Sequence, residues 1–314
     1  MVESKHQWKA WLYLAPAIVL LLIFTAWPIV NTIGMAFIED YDILKALGGT
    51  EFEIGLGNFE AIINFGQFKQ CLLNTLLLCV ITVPLSTIIA LLIAVCLNSI
   101  KPLNRLLQTI YFLPYVTNSI AIGMVFYQMF NIIGVQQMGV NDAMVTQSII
   151  NQMLGVFGID PIIWINQGST YAANLITMVI YIVWNALPFK ILILLGGLQS
   201  VNKQYYDAAK VDGTSRARTL WRITVPLLSP MIAYVVITGF IGGFKEYSSI
   251  VGIFGEINMG PPDDPGRMNT MVGLIYNLIS SNQGRAAAGA LILFAIIFAV
   301  TLVNLYVSKK KVHY

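Results

Sequence analysis

Six stretches of this chain contain no Asp, Glu, Lys, Arg or His: Ala10–Ile38, Gln70–Ile100, Leu106–Asn141, Pro161–Phe189, Ile223–Phe244 and Ala286–Ser308. A helix needs about 20 apolar residues to cross the hydrocarbon of a bilayer, so each run is long enough. The spacing predicts six transmembrane helices near 11–36, 71–97, 106–130, 172–196, 229–252 and 286–308. Over 314 residues the chain is 57% hydrophobic and only 11% charged. A soluble domain has about a quarter charged residues, so this chain cannot cover a water-facing surface in the usual way. The fold class read from these runs is an all-α polytopic membrane protein. Residues 1–10 form a short N-terminal segment, 11–308 the membrane domain and 309–314 a basic tail. Lys5 and Lys9 precede the first run as they would in a signal peptide. That run is too long for a signal h-region and lacks a small-x-small cleavage site, which favours an uncleaved first span.

The basic residues give an orientation. With the N-terminus in the cytoplasm, the inside segments are 1–10, 98–105, 197–228 and 309–314. They hold 12 of the 18 Lys and Arg residues, whereas the outer segment 131–171 holds none. That asymmetry is what the positive-inside rule expects, and it places both termini in the cytoplasm. Lys190, near the inner end of the fourth span, reads as a side chain snorkelling to the headgroups. Pro16, Pro28, Pro84, Pro114 and Pro188 interrupt the spans. Kinked helices with interior Asn, Thr and Gly suit a polar cavity that opens and closes, although each kink alone is ordinary bundle irregularity. The outer stretch AMVTQSIINQMLGVF has the pattern of a short helix, lying either in the interface or above it.

Several chemistries are excluded by what is missing. Cys71, Cys79 and Cys96 fall within one apolar run and read as packing residues rather than a disulfide or zinc framework. His6 and His313 sit at the ends, which leaves no buried histidine as acid, base or metal ligand. There is no G-x-x-x-x-G-K-[ST] loop to hold nucleotide phosphates. There is no H-E-x-x-H or G-x-S-x-G motif either. No catalytic residue, no metal site and no bound cofactor is expected, and the small net charge of +3 gives no basis for nucleic-acid binding.

One polar, basic island interrupts the apolar pattern: YYDAAKVDGTSRARTLWRITVPLLSP, residues 205–230. Asn202 is suited to cap a helix of about three turns through Asp212, with Gly213 as a left-handed stop. Asp207 is read as standing early in that helix, where a carboxylate suits the dipole. Thr214 or Ser215 would cap a second short helix, and Pro226 and Pro230 suit the first turn of the next span. The island therefore reads as a helix–turn–helix on the cytoplasmic face, within a loop over 198–228.

This island resembles the EAA loop of ABC importer permeases, whose pattern is E-A-A, three residues, G, nine residues, I-x-L-P. Here Asp207-Ala208-Ala209, Gly213 and Ile223-Thr224-Val225-Pro226 keep every spacing, with Asp in place of Glu and Val in place of Leu. The stretches WLYLAPAIVLLLIF (11–24), LNTLLL (73–78), IYFLPY (110–115) and WNALPF (184–189) are similar to the carbohydrate, maltose-type branch. The resemblance implies a type I ABC importer permease fold of six helices in a bacterial or archaeal cytoplasmic membrane. It implies that Asp207, Ala208, Ala209, Asp212, Gly213 and Pro226 dock or couple to a separate ATPase. It further implies a second homologous permease, two ATPase subunits that carry ATP and Mg, an external solute-binding protein, and a sugar or oligosaccharide as cargo.

For the cargo site, residues on the fifth span draw attention, because ionisable groups inside a membrane are costly and point to function. Thr238, Gly242, Lys245, Glu246 and Ser249 share one face if that span is a single helix. Glu246 can accept sugar hydroxyls, and Lys245 can donate to them or snorkel to the outer headgroups. On the fourth span, Trp184 and Asn185 offer a stacking surface and an amide; packing is the alternative role for the tryptophan. A non-sugar solute remains open at this stage. So does a secondary transporter, although no internal repeat or midplane carboxylate cluster supports one.

Overall fold

A computed structural model describes residues 7–39, 41, 53–100, 104–132 and 148–311. The expected helix over 143–157 lies partly outside them; within them Ile149–Gly155 is helical, with the Ser148 hydroxyl accepting from Asn151 N at 3.1 Å. Among the described residues the regular structure is helical, apart from an isolated bridge between Ile38 and Ile54.

Among the described residues, four helices are long and apolar enough to span a membrane: Trp8–Phe37, Phe68–Ser99, Tyr171–Ser200 and Gln283–Lys310. Two further pairs, Thr109–Val116 with Ser119–Phe130 and Arg216–Leu227 with Ser229–Phe244, satisfy the same criterion together. They bend by 103° and 71°, and counting each pair as one span gives the expected six. Helices are numbered here in chain order. α1 is Gln7–Leu21, α2 Trp27–Phe37, α3 Gly57–Ile63, α4 Phe68–Ser99 and α5 Asn104–Val116. α6 is Ser119–Phe130, α7 Ile149–Gly155, α8 Tyr171–Ser200, α9 Lys203–Val211 and α10 Arg216–Thr219. α11 is Val225–Leu227, α12 Ser229–Phe244, α13 Ser248–Phe254, α14 Met271–Ile279 and α15 Gln283–Lys311. One turn of π-helix, Leu22–Ala26, joins α1 to α2, and another, Leu220–Thr224, joins α10 to α11.

The chain divides into two compact units: one holds the sequence through Phe68 and Leu274–Phe294, the other Lys69–Gly273 and Ala295–Tyr314. In the first, buried Asn58 donates to the carbonyls of Ala36 and Ile38. That one amide satisfies backbone groups at the end of α2 and so fixes the start of α3 against it.

The second unit carries two apolar clusters. One gathers Phe126, Phe130, Trp164, Met178, Tyr181 and Ile253, and the other Ala90, Leu194, Leu195, Leu228 and Val235. Buried Asn74 on α4 ties the segment after α13 to the bundle. Its amide donates to Arg267 O at 2.9 Å and Asn269 O at 2.8 Å, and its oxygen accepts from Tyr171 at 2.8 Å. Such a buried amide is costly to remove: Arg267 O keeps a second donor in Gln70 Nε2 at 3.0 Å, but the Asn74 bonds to Asn269 O and from Tyr171 would be lost.

Two expected spans are not single helices. The third stops at Val116 because Asn118, in extended backbone, turns its side chain to cap α6, accepting from Ile120 N at 2.8 Å. The fifth stops at Phe244, after a glycine-rich turn with low helix propensity, and restarts at Ser248. α6 and α13 then cross where Gly123 meets Gly252. A Cβ built on either glycine would lie 2.6–2.8 Å from the other's Cα, so this crossing requires both to lack side chains. Cys71 and Cys79 are buried packing residues as expected, whereas Cys96 is exposed.

Candidate functional site: a polar cavity and a cytoplasmic helix–turn–helix

The break after α12 changes the fifth-span reading. Thr238 and Gly242 remain on a helix, but Lys245, Glu246 and Tyr247 lie between helices, so the single helical face from Thr238 to Ser249 does not exist. Glu246 is held locally instead. Its Oε1 accepts from Ser249 N at 3.1 Å, and its carbonyl accepts from the Thr270 hydroxyl at 2.8 Å. The carboxylate caps the short helix α13 and also lines a cavity of about 290 Å³.

Thr82, Ser86, Tyr115, Asn185 and Thr238 contribute to the same cavity, with glycines and apolar side chains between them. An apolar wall carrying a few fixed polar groups is the usual make-up of a small-molecule site. Of the expected cargo residues, Glu246, Asn185 and Thr238 are brought together here. Lys245 is exposed and is not part of this wall. Trp184 packs its ring against Phe126, with centroids 5.3 Å apart, and is not part of the wall either.

Lys190 is the residue the sequence reading misplaced. It does not snorkel: the side chain is 4% exposed, and α8 runs ten further residues to Ser200. Its Nζ donates to Ser86 Oγ at 2.7 Å, Thr87 Oγ1 at 3.0 Å and Val83 O at 3.1 Å, all on α4. Room for the ammonium comes from Gly239, where a Cβ would sit 3.2 Å from Nζ. The available signal was the Ser86-Thr87 pair in the middle of an apolar span.

The island folds as a helix–turn–helix from local hydrogen bonds. Asn202 caps α9, accepting from Gln204 N at 3.0 Å. At the other end Gly213 takes φ +66°; its N–H donates to Lys210 O and that of Thr214 to Ala209 O. These two bonds form a Schellman stop, which needs a residue at ease in the left-handed region. Ser215 then caps α10. With nine residues α9 makes about two and a half turns. Asp207 is its fifth residue, at the middle rather than the N-terminal end, and pairs with Lys210 at 3.4 Å. Both side chains are well exposed, so that pair adds little to stability. Asp207, Ala208, Asp212 and Gly213 are exposed, Ala209 is buried, and Pro226 is half-buried in α11.

The chain belongs to the family of binding-protein-dependent transport system inner membrane components, which it matches over residues 54–313. It is therefore a multi-pass permease component of an ABC importer rather than an enzyme. It is 28% identical over 302 residues to the arabinooligosaccharides transport system permease protein AraP of Bacillus subtilis, covering 95% of this chain and 88% of that one. It is also 28% identical to the lactose transport system permease protein LacF of Rhizobium radiobacter, covering 94% and 91%. To the sn-glycerol-3-phosphate transport system permease protein UgpA of Agrobacterium fabrum it is 27% identical, covering 97% and 96%. Among solved structures it is similar to a bacterial ABC transporter involved in the import of the acidic polysaccharide alginate. The TM-score is 0.75 at 21% identity, with 98% of this chain and 96% of that one covered. The fold is that of the type I ABC importer permeases.

Proposed function

We propose that this permease takes up a sugar or oligosaccharide delivered by an external solute-binding protein, and that the cargo passes through the cavity lined by Glu246, Asn185 and Thr238. The carrying observation is the convergence of these polar groups on one cavity inside the bundle. The relatives named for arabinooligosaccharides and lactose support a saccharide cargo. The same reading gives the chain a second homologous permease and two cytoplasmic ATPase subunits, with ATP and Mg bound on those. The segment 202–213 seats in the ATPase, using Asp207, Ala208, Ala209, Asp212 and Gly213, with Pro226 setting the return into the membrane. Both termini and this segment are cytoplasmic, as the clustering of basic residues supports.

Glu246→Gln tests the cargo site. The amide oxygen still accepts from Ser249 N, so the cap of α13 persists, while the charged acceptor for sugar hydroxyls is gone. The half-saturating concentration for uptake should rise by ~10-fold or more, the worth of a hydrogen bond to a charged group. Unchanged affinity and rate in reconstituted vesicles would remove Glu246 from the site.

A further inference from the structure

Lys190 is a buried cation that the fold does not require. The oxygens around it have other partners: the Ser86 hydroxyl donates to Thr82 O, and the Thr87 hydroxyl donates to Val83 O at 2.7 Å. They satisfy the ammonium, while none of them depends on it. Among the described residues the ion pairs are Lys210–Asp207 and Arg267–Asp264, so no carboxylate lies within 4.0 Å of this lysine. Burying such a charge is expensive, and an apolar side chain of similar volume would serve packing as well or better. A charge retained inside a membrane bundle at that cost points to function. Lys190 lines the transport cavity together with Glu246, from a different wall: α8 against α4 for the lysine, the α12–α13 break for the glutamate.

Resting on the saccharide-importer reading, we propose that Lys190 is the charge-selecting residue of the cavity. The cargo is an acidic saccharide whose anionic oxygen, from a carboxylate or a phosphate, lies toward Lys190 while its hydroxyls meet Glu246. The ammonium supplies the compensating field, and the Asn185 amide, also on the cavity wall, is a donor within the same space.

The test is uptake by the complete reconstituted importer, wild type and Lys190→Met, in three arms: oligogalacturonates, maltooligosaccharides and glucose 6-phosphate. The binding protein is the same in both preparations, so its own preference cancels in the ratio. Wild type should take up an acidic arm, and Lys190→Met should lose it by ~10-fold or more while any neutral uptake changes less than about twofold. The carboxylate and phosphate arms report which acidic group is used. Equal loss in every arm, or no loss, would assign Lys190 to packing alone and overturn the proposal. Wild-type uptake confined to the neutral arm would overturn it while leaving the saccharide reading in place. Uptake of none of the three would count against both.

Discussion

Gly213→Val should leave the protein in the membrane at its normal level and reduce ATP-driven uptake by ~10-fold or more. The glycine's φ of +66° is the left-handed turn of the Schellman stop, and a Cβ there meets nothing within 4 Å. The effect is therefore conformational rather than steric. A β-branched residue in that region costs at least about 1–2 kcal/mol, so the chain would relax out of it. The two hydrogen bonds that end α9, from Gly213 N to Lys210 O and Thr214 N to Ala209 O, would be lost with it. The exposed residues of α9 would then be presented at another angle, although the bundle is untouched. In reconstituted importer, ATP hydrolysis should persist without the matching rise in transport. Gly213→Asn should keep most uptake, because asparagine tolerates this conformation far better than valine. Normal uptake by the valine variant would show that the shape of this turn is not used in coupling.

Gly252→Val should have an equally large effect through a different route. Its Cβ would lie 2.8 Å from Gly123 Cα and 3.1 Å from Ile120 O, both backbone atoms that cannot swing aside. Overpacking usually costs about 1–3 kcal/mol where side chains can adjust, and here two helix backbones must part. The purified variant should unfold at a clearly lower temperature in detergent and accumulate poorly in the membrane. Gly34→Ala, at a helical glycine with nothing within 4 Å, is the matched control and should behave as wild type. A Gly252→Val protein as heat-resistant as wild type would mean that α6 and α13 do not cross this closely.

The spans and the island were legible for the same physical reason: the information is local. A run without charges declares a membrane helix by itself. Asn202, Gly213 and Ser215 make their hydrogen bonds within five residues along the chain, so their spacing is enough to read a capped helix and its stop. The breaks in the third and fifth spans were hidden because apolar residues continue on both sides of them. Asn118 was the one local sign of the first break, since an asparagine in a span is well suited to cap a new helix. The second break follows a glycine-rich turn, a local sign, and Thr270, 24 residues away, holds the Glu246 carbonyl within it. Lys190 was misread for a similar reason. Its partners Ser86 and Thr87 are more than 100 residues earlier in the chain, and only the packing of α8 on α4 brings them to it. Glu246 and Asn185 could be named as candidates from residue type, but not their meeting in one cavity, which depends on how α8 and α12 pack.

The central claim is that energy reaches this permease from a separate ATPase and moves a saccharide through the Glu246 cavity. It is tested most directly by radiolabelled saccharide uptake into proteoliposomes containing this chain. The preparations should differ only in whether the partner permease, the ATPase and the binding protein are present and whether ATP is supplied. Uptake that requires all of these, and that is unaffected when proton and sodium gradients are collapsed, is the predicted result. Uptake by this chain without the ATPase, driven by an imposed ion gradient, would contradict it.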